Sequence, residues 1–572
     1  MRQLDAFLPR TRIAYLSMEI ALRPEIHTYS GGLGVLAGDT VRSSADLELP
    51  IVFVTMASRN GYFRQEIDAH GHQVEWPDPW DVAGLTSMVP AMVAVEIQGR
   101  PVWIRPWLYV HTSARGYSVP VLLLDTDLEQ NDPADRPLTD RLYGGDHAYR
   151  LKQELVLGVG GARMLRALGF EPDIYHLNEG HAAFLPVELL RRMRRMRGQS
   201  GNGSAGSDRA GSDRARARDM CIFTTHTPVE AGHDRFPYDL VEHVTADLIP
   251  IAELKELAGS DGLNMTRLAL NLSGYVNGVA RRHATTTRDM FPGYAVDSIT
   301  NGIHTTTWAH PAFAALFDAA IPHWVVEPEV LSHADTLDDG KVRDAHHVAK
   351  TDLVRLVRER TGVEFDPALP VIGYARRMTG YKRPDLLFSD IERLERLARE
   401  QPFQLVMAGK AHPNDHSGRA FIAGLHELQR RLYGVLPLAF LPNYDMAMAK
   451  TLIAGPDIWL NTPLPPLEAS GTSGMKAALN GVLNLSTLDG WWIEGCIEGV
   501  TGWGIEAAPG GRAGGEDDGD ALYAKLGGTV LPLYARDPKR WTWMMKQSIA
   551  KIGSYFSSHR MMRYYVTQAY MR

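Results

Sequence analysis

The amino-acid sequence predicts an α/β fold made of two doubly wound, Rossmann-like domains with a cleft between them. Short apolar runs that suit buried parallel strands alternate with segments of helical spacing along most of the 572 residues. The alternation restarts after a helical connector at about residues 344–361, and a chain of this length exceeds what one core usually accommodates. We therefore expect domains at residues 1–365 and 366–540, with C-terminal helices, residues 541–572, packing back on the first domain.

The composition is that of an ordinary globular protein and argues against several classes of protein, among them nucleic-acid-binding, membrane-spanning and disulfide-rich proteins. Hydrophobic residues make up 45% and charged residues 22% of the chain, and the formal net charge is −7. This balance gives no general attraction to nucleic acid or to an anionic membrane, and no apolar run reaches the roughly 18 residues of a transmembrane helix. Cys221 and Cys496 provide neither a disulfide framework nor a metal-ligand cluster. We expect a cytoplasmic protein without a signal peptide or a bound metal.

The first domain is predicted to begin with a βαβ unit. A buried strand at Arg12–Met18 leads to a glycine-rich turn, Gly31–Gly34, which opens a helix, and a second strand follows at Pro50–Met56. The turn does not have the spacing of the dinucleotide-binding fingerprint. Downstream we expect strands and one long helix, His147–Leu168, the strands lying at Met92–Ile97, Pro101–Ile104, Val119–Asp125 and Ile174–Leu177.

The remainder of the first domain continues the alternation, with one interruption. The run Cys221–Pro228 is a strand that ends in a polar tip, mostly helical sequence spans Pro237–Leu272, and another strand and loop follow at Val296–His304. Residues Gln199–Asp213 are mostly Gly, Ser, Ala, Asn and Asp, a composition that predicts a flexible surface insertion.

The second domain repeats the pattern from Pro370. Because the ligands of parallel sheets bind at the carboxyl ends of the strands, the polar residues that follow the strands of both domains should face one cleft. A second flexible loop is expected at Pro509–Asp520. The further strands of this domain are expected at Gln404–Ala408, Leu438–Leu441, Ile458–Thr462 and Val482–Leu485.

The stretch Glu468–Lys476 carries the clearest chemistry of the second domain. Small residues and glycines lie where a strand passes into a helix, so backbone N–H groups point outward at a helix N-terminus and suit an anion. Lys476, at the start of that helix, adds a positive charge or an amine nucleophile. The spacing is not that of a Walker P-loop. On its own, the stretch is equally well explained as a structural turn.

Two other groups suit an anion, and several polar residues suit a sugar. Arg376–Arg377 with Tyr381–Arg383 offers forked and point charges for phosphate oxygens, and the Gly31–Gly34 turn offers backbone donors. Each group alone is equally well a tight turn or surface charge, and each sugar candidate a cap or loop hydrogen-bonder. The residues therefore predict a cleft for phosphate and sugar without naming the reaction. The candidates for sugar hydroxyls are Asn178, Glu179, His181, His226, Asn301 and Glu468.

Taken together and in order, these motifs resemble those of the α-glucan (glycogen, maltodextrin) phosphorylases in their short bacterial form. The resemblance covers most of the chain, and so many motifs in one order are far more specific than any single one. The stretches that carry it are Tyr29–Asp39, His176–His181, Thr225–Pro228, Val276–Ala280, Thr300–His304, Arg376–Arg377, Tyr381–Arg383, Gly409–Pro413 and Glu468–Lys476.

The resemblance implies a fold, a reaction and a cofactor. It implies a retaining glycosyltransferase of the GT-B type that converts α-1,4-glucan and inorganic phosphate into α-D-glucose 1-phosphate. It also implies that Lys476 carries pyridoxal 5′-phosphate as a Schiff base. In this family the cofactor's phosphate exchanges a proton with the substrate phosphate, which protonates the glycosidic oxygen and attacks the anomeric carbon. A homodimer is the family expectation.

The resemblance also assigns roles to residues. Arg377 and Lys382 match the ligands of the substrate phosphate and act with Lys476 in catalysis. Gly32, Tyr444, Thr472 and Gly474 match cofactor-side positions, and Lys410 matches a cofactor- or phosphate-side position. The substrate-binding positions are Gly31, Leu33, His181, His226, Asn301, Glu468, Ala469, Ser470 and Gly471.

The chain departs from the long animal and plant enzymes, and two other functions remain open. We expect no counterpart of their phosphorylation and effector surfaces, and the acceptor-side sequence Pro228–Gly232 differs from theirs. The alternatives are a nucleotide-sugar glucosyltransferase of the same fold, which would not need Lys476, and a non-catalytic glucan-binding protein. The presence of Lys476, Arg377 and Lys382 together argues against both.

Overall fold

The protein is described here by a computed structural model that covers residues 4–199, 207–245, 248–506 and 516–572. It is a mixed α/β structure with two large sheets. The strands of the first half are β1 (Ile13–Ser17), β2 (Ile51–Met56), β3 (Arg64–Ile67), β4 (Gln73–Trp76), β5 (Ser87–Met88), β6 (Val93–Ile97), β7 (Arg100–Thr112), β8 (Ser118–Asp125), β9 (Ile174–Asn178), β10 (Cys221–Thr224), β11 (Arg235–Phe236), β12 (Leu263–Asn264), β13 (Tyr275–Gly278) and β14 (Asp297–Ser298).

Ten of these strands form the first sheet, in the order β14-β13-β10-β9-β1-β2-β8-β7-β5 with β6 beside β7. The strands from β14 to β8 run parallel, and β7 pairs antiparallel with its neighbours. Every residue of β1 and β2 is buried, because elements cover both faces of a parallel sheet. Two short hairpin-like pairs, β3–β4 and β11–β12, lie outside it.

The second sheet is parallel throughout and has six strands in the order β17-β16-β15-β18-β19-β20. The first strand along the chain, β15, lies inside the sheet; β16 and β17 extend the sheet on one side of it, and β18 to β20 extend it on the other. These strands are β15 (Val371–Ala375), β16 (Gln404–Ala408), β17 (Leu438–Leu441), β18 (Ile458–Asn461), β19 (Leu483–Thr487) and β20 (Gly502–Ile505).

The helices connect the strands and cover the sheets. In the first half they are α1 (Gly32–Asp46), α2 (Val82–Leu85), α3 (His147–Leu155), α4 (Gly161–Ala167), α5 (Phe184–Gln199), α6 (Ser207–Asp219), α7 (Tyr238–Thr245), α8 (Ile251–Ala258), α9 (Met265–Asn271), α10 (Arg281–Met290), α11 (Thr305–Trp308) and α12 (Pro311–Ala320). They continue with α13 (Asp339–Thr361), α14 (Ile391–Glu400), α15 (His416–Arg431), α16 (Met446–Ala454), α17 (Ser473–Leu479), α18 (Trp492–Gly495), α19 (Glu516–Lys525), α20 (Leu531–Arg536), α21 (Pro538–Ser548) and α22 (Ser558–Tyr565). No helix of the described ranges is long and apolar enough to cross a membrane.

The α/β class and the parallel strands predicted from the sequence are confirmed, whereas several local features differ. The long helix expected at His147–Leu168 is interrupted by a π-helical turn, Val156–Gly160, between α3 and α4. Sequence reasoning missed β13, β20 and the β3–β4 hairpin, because each of these strands has only four residues. The division into domains at residue 365 stays a prediction.

The two predicted insertions are partly wrong. Residues 200–206 and 507–515 lie outside the described residues. Helix α6 begins at Ser207 and helix α19 at Glu516, so Ser207–Asp213 and Glu516–Asp520 are helical rather than loops. Gly and Ser content predicted a coil here because it disfavours an isolated helix.

Candidate active site

The Glu468–Lys476 stretch joins the carboxyl end of β18 to α17, as predicted. The helix begins at Ser473, earlier than its apolar residues indicated, so Lys476 lies in its first turn. Gly471 has a left-handed φ of +81°, which glycine adopts without strain. A Cβ on Gly474 would lie 2.4 Å from the side-chain oxygen of Asn484, so the tight loop requires glycine there.

The side chain of Lys476 is enclosed by the protein and lies against an aromatic ring. Only 5% of the residue is exposed, and its Nζ lies 3.8 Å from the ring centroid of Trp308. No hydrogen bond or ion pair to this Nζ is found among the described residues. Burial lowers the pKa of Lys476 to about 8. A larger fraction of the amine is therefore neutral, the form that attacks a carbonyl carbon.

Asp39 holds the ring that Lys476 faces. This buried carboxylate accepts a hydrogen bond from Trp308 Nε1 at 2.8 Å and lies 3.3 Å from Arg42. Trp308 closes the short helix α11, and Asp39 lies in α1, so the contact joins the helix that follows the glycine turn to the surroundings of Lys476. Sequence reasoning assigned no role to either residue: Trp308 belongs to no charged or glycine-rich motif, and Asp39 ends the Tyr29–Asp39 stretch without any sign of the side chain that it bonds.

Glu468 forms ion pairs with two cations of the second half of the chain. Arg376 and Lys382 both donate to its Oε2, at 2.5 and 2.6 Å. Burial opposes ionisation of Glu468, but these two charges outweigh it and lower the pKa to about 2. The backbone N–H of Glu468 is held by Asp489 at 2.8 Å. Glu468 is thus a fixed anion that orients Lys382.

Arg377 presents an open guanidinium to this cleft. Its side chain is exposed, and among the described residues no hydrogen bond or ion pair to its guanidinium is found. One of its terminal nitrogens lies 3.6 Å from the position that a Cβ on Gly31 would occupy. A forked guanidinium with open donors beside a glycine turn suits a phosphate.

Glu19 braces the glycine turn from behind. Its carboxylate accepts hydrogen bonds from the backbone N–H groups of Ser30 and Gly31, at 2.5 and 3.1 Å, and from the Tyr143 hydroxyl at 2.9 Å. A Cβ on Gly34 would lie 2.6 Å from the same carboxylate. The turn therefore keeps one defined geometry at the start of α1, beside Leu33 and Gly32.

Polar residues after β9 and β10 form a hydrogen-bonded group, as expected. The backbone N–H of His226 donates to Glu179 at 2.7 Å, and its Nε2 lies 2.6 Å from the side-chain oxygen of Asn178. His181 lies beside Arg150, with 3.1 Å between the two nitrogens, and burial lowers the pKa of His181 to about 3. Both imidazoles are therefore held neutral by burial.

Several buried polar atoms lack a partner within the described part of the chain. They are Nδ1 of His181, Oδ1 of Asn301, Oγ of Ser470 and one terminal nitrogen, Nη1, of Arg376. A buried polar atom without a hydrogen bond costs about 1–3 kcal/mol. Three of these four atoms, in His181, Asn301 and Ser470, lie at predicted substrate positions, where a polar ligand would satisfy them. Ala469 and Gly471 flank Ser470 in the loop.

Two predicted cofactor-side residues make contacts of another kind. Lys410 donates to the backbone oxygen of Phe63 at 2.8 Å, and burial lowers its pKa to about 8. Burial raises the pKa of Tyr444, with Tyr29 and Asp445 as charged or polar neighbours. Neither residue has a contact with Lys476 among the interactions found, so their predicted roles stay predictions.

A cluster that sequence spacing does not reveal joins three segments next to the site. His304 and His559 each place Nε2 within hydrogen-bond distance of Asp46, at 2.7 and 2.9 Å. Although burial opposes it, these hydrogen bonds hold the pKa of Asp46 below its ordinary value. An ionised carboxylate that receives two imidazole donors ties the end of α1 to α22 and to the segment before Trp308.

Comparisons with known proteins agree on one family. A family model described as carbohydrate phosphorylase matches residues 225–500. A maltodextrin phosphorylase of Thermococcus litoralis is 38% identical over 601 residues, covering 98% of this chain and 70% of the relative. Glycogen phosphorylases of Mycobacterium tuberculosis and Aquifex aeolicus are 37% and 33% identical, each over 98% of this chain, with 71% and 86% of the relatives covered.

Proposed function

The chain belongs to the carbohydrate phosphorylase family, and we propose that it is an α-glucan phosphorylase. It cleaves α-1,4-glucans with inorganic phosphate and releases α-D-glucose 1-phosphate with retention of configuration. The observation that carries this proposal is the free guanidinium of Arg377 beside the Gly31 turn. A phosphate is the anion that matches such a fork together with backbone donors.

The residues around Lys476 fit pyridoxal 5′-phosphate. The group needs a partly neutral amine, an apolar face and closely approaching backbone, and the site has a lysine with a lowered pKa, the Trp308 ring, and the small residues Thr472 and Gly474. The unbonded Nζ supports the same conclusion. When bound, the cofactor supplies a phosphate that exchanges a proton with the substrate phosphate.

The residues of the chain bind and orient the substrates in this proposal. Arg377 and Lys382 hold the inorganic phosphate, Lys382 being aimed by Glu468. The open Oδ1 of Asn301 and Nδ1 of His181 take glucosyl hydroxyls, and His226 contributes its backbone carbonyl. A phosphate fixed close to the anomeric carbon stabilises the positive charge that develops there as the glycosidic bond breaks.

We also propose the GT-B arrangement, with domains at residues 1–365 and 366–540. In its own strand numbering the second sheet has the order 3-2-1-4-5-6, and the parallel strands of the first sheet have the order 3-2-1-4-5-6-7, with the same reversal beside the first strand. Ligands bind at such reversals in doubly wound sheets. A cytoplasmic homodimer acting on glucan, phosphate and glucose 1-phosphate completes the proposal.

The decisive experiment traps the cofactor and then removes its lysine. Borohydride reduction of protein prepared with ample pyridoxal 5′-phosphate should leave a pyridoxyl group on Lys476, detected by peptide mass. Lys476→Ala should lower glucose 1-phosphate formation from maltodextrin more than about a hundredfold. Lys525→Ala removes a surface lysine paired with Glu498 and should leave both results unchanged.

Two results would contradict the proposal. Absence of the adduct would exclude the cofactor role of Lys476. Full activity of Lys476→Ala with a nucleotide sugar as donor would instead identify a glucosyltransferase of the same fold.

A further inference from the structure

The β3–β4 hairpin lies against the second sheet, although it belongs to the first half of the chain. It packs on the loops that follow β16 and β17, where Gly409–Ala411 and Asn443 are found. Gln65 and Gln73 sit on the face of the hairpin that makes this contact. They are only 1% and 2% exposed, which is unusual for glutamine.

Gln65 is bonded to both loops of the second sheet. Its backbone N–H donates to Asn443 Oδ1 at 3.0 Å, and its Oε1 accepts from the backbone N–H of Asn443 at 2.8 Å. Its Nε2 donates to the carbonyl of Gly409 at 3.0 Å and to Gln73 at 2.7 Å. The side chain thus satisfies a backbone donor and a backbone acceptor at once.

Gln73 makes the two backbone hydrogen bonds with Ala411 that a residue of a neighbouring strand would make. Its Oε1 accepts from the Ala411 N–H at 3.0 Å, and its Nε2 donates to the Ala411 carbonyl at 2.8 Å. A carboxamide offers a donor and an acceptor on neighbouring atoms of one rigid plane. Because both glutamines are uncharged, they fix the loop without adding a field at the nearby cations.

The same loop is joined to the residues on either side of Arg377. The backbone N–H of Arg376 donates to Ala408 at 3.2 Å, and that of Met378 donates to Lys410 at 3.0 Å. A Cβ on Gly409 would lie 1.9 Å from the Arg376 carbonyl, so the two segments are in close contact. A shift of the Gly409–Ala411 loop therefore moves Arg377.

We propose that Gln65 and Gln73 are positioning residues that hold Arg377 opposite the Gly31 turn. Gly31 lies on the first sheet's side of the anion site and Arg377 on the second, so their separation depends on how the two sheets are joined. The glutamine hairpin contributes to that junction through hydrogen bonds to the backbone of Gly409, Ala411 and Asn443. This inference rests on the proposed function for the identity of the anion as phosphate.

The test compares variants of the two glutamines with a change elsewhere in the same hairpin. Gln65→Leu and Gln73→Leu keep the approximate size of the side chain and remove the hydrogen bonds. Gln65→Glu keeps the acceptor for Asn443 but sets a buried carboxylate against the Gly409 carbonyl and Gln73 Oε1, which Gln65 Nε2 now satisfies. Trp76→Phe is the matched control, because Trp76 is exposed and bonds only to Glu66 of its own hairpin among the contacts found.

Two readouts are measured. We expect amide hydrogen exchange in Met378 and in Gly409–Ala411 to accelerate in the leucine variants and at least as much in Gln65→Glu. The KM for phosphate should rise about tenfold, the effect of losing one to two buried hydrogen bonds. The KM for glucan should stay within about twofold, because its proposed ligands Asn301, His181 and His226 lie on the first sheet's side of the cleft.

The outcomes separate this inference from the proposed function. Unchanged exchange, or faster exchange with an unchanged KM for phosphate, would overturn the positioning role, as would equal rises in both KM values. If the wild-type protein proves inactive, exchange is followed with inorganic phosphate as the probe. The inference is supported if phosphate slows exchange at the Met378 amide in the wild type and in Trp76→Phe but not in Gln73→Leu. Equal slowing in all three proteins overturns it.

Discussion

Lys476 shows how a single residue is poised by burial alone. Only 5% of the residue is exposed, no carboxylate of the described residues pairs directly with its amine, and the Nζ lies over the Trp308 ring. The Asp39 charge nearby favours the protonated form, but desolvation is the larger effect and lowers the pKa to about 8. Burying this amine therefore costs folding free energy, and the same burial lowers the pKa in the way that reactive lysines generally require.

This cost predicts a pH-dependent stability of the cofactor-free protein. An unfolded lysine has a pKa near 10.5, so below pH 8 folding must bury a charge that the unfolded chain keeps in water. Lys476→Met should raise the free energy of unfolding at pH 7 by about 3 kcal/mol. The gain should decline between pH 8 and 10.5, where the folded amine is neutral while the unfolded one is still protonated.

Urea denaturation at pH 7 and at pH 10 measures this difference. The exposed, ion-paired Lys525 serves as the control, because Lys525→Met should change stability little at either pH. An equal gain from Lys476→Met at both pH values would show that packing against Trp308, and not the charge, causes the stabilisation.

At the scale of elements, the start of α22 braces the segment that carries Asn301. Ile303 forms a parallel β-bridge with Ser557, and Arg560 donates to the carbonyls of Thr300 and Asn301 at 2.9 and 3.0 Å. These contacts leave the Asn301 side chain open while fixing its backbone. A proposed sugar-binding position is thereby supported by residues more than 250 positions away in sequence, which no local pattern reveals.

Gly302 is the residue on which this contact depends. A Cβ there would lie 2.2 Å from the carbonyl oxygen of Ser557, a backbone atom that cannot turn aside. Gly302→Ala should therefore destabilise the protein by about 1–3 kcal/mol and raise the KM for glucan more than that for phosphate. Thermal unfolding and steady-state kinetics measure the two effects.

Gly528→Ala is the control for this substitution. A Cβ on Gly528 meets nothing within 4 Å, so the change should be neutral or slightly stabilising. Loss of stability in Gly528→Ala equal to that in Gly302→Ala would refute the steric explanation.

At the scale of the whole molecule, the end of the chain covers the first sheet. Met561, Met562 and Tyr565 of α22 pack in one apolar cluster with residues of α1 and the sheet. The preceding helix, α21, packs with α13 and α17 on the second sheet's side. The C-terminal segment therefore crosses from one sheet to the other, and only its last part has the predicted contact with the first. The other buried members of the cluster are Leu36 of α1, Ile222 of β10, Tyr275 of β13, Ile299 just after β14, and Ala569.

Removal of residues 558–572 should therefore expose an apolar face of the first sheet. Each large apolar side chain uncovered costs about 1.5–3 kcal/mol, and Asp46 would also lose His559. We expect a strong fall in the melting temperature and binding of an apolar dye. Removal of 571–572 alone should have little effect, because Met571 is exposed. A truncated protein that melts like wild type would contradict the cluster's role.

Much of the secondary structure could be predicted because it depends on local sequence. The strands at 404–408 and 438–441 agree with β16 and β17 residue by residue, since buried parallel strands are continuous apolar runs between helices. The glycine turn at Gly31 and the Lys476 loop were equally recognisable, because backbone at a strand-to-helix turn selects small residues. The chain's resemblance to phosphorylases then placed these motifs in one family, which the comparisons confirm.

By itself, the sequence determined the α/β class, the family and the residue types available for an anion and a sugar. Only the tertiary structure decided that Arg377 is free while Arg376 and Lys382 share Glu468, that Trp308 faces Lys476, and that two buried glutamines connect the sheets. The physical reason is that charge pairing, desolvation and hydrogen bonding depend on distance in space. Residues such as Gln65 and Gly409, 344 positions apart, leave no periodic signal in the chain that joins them.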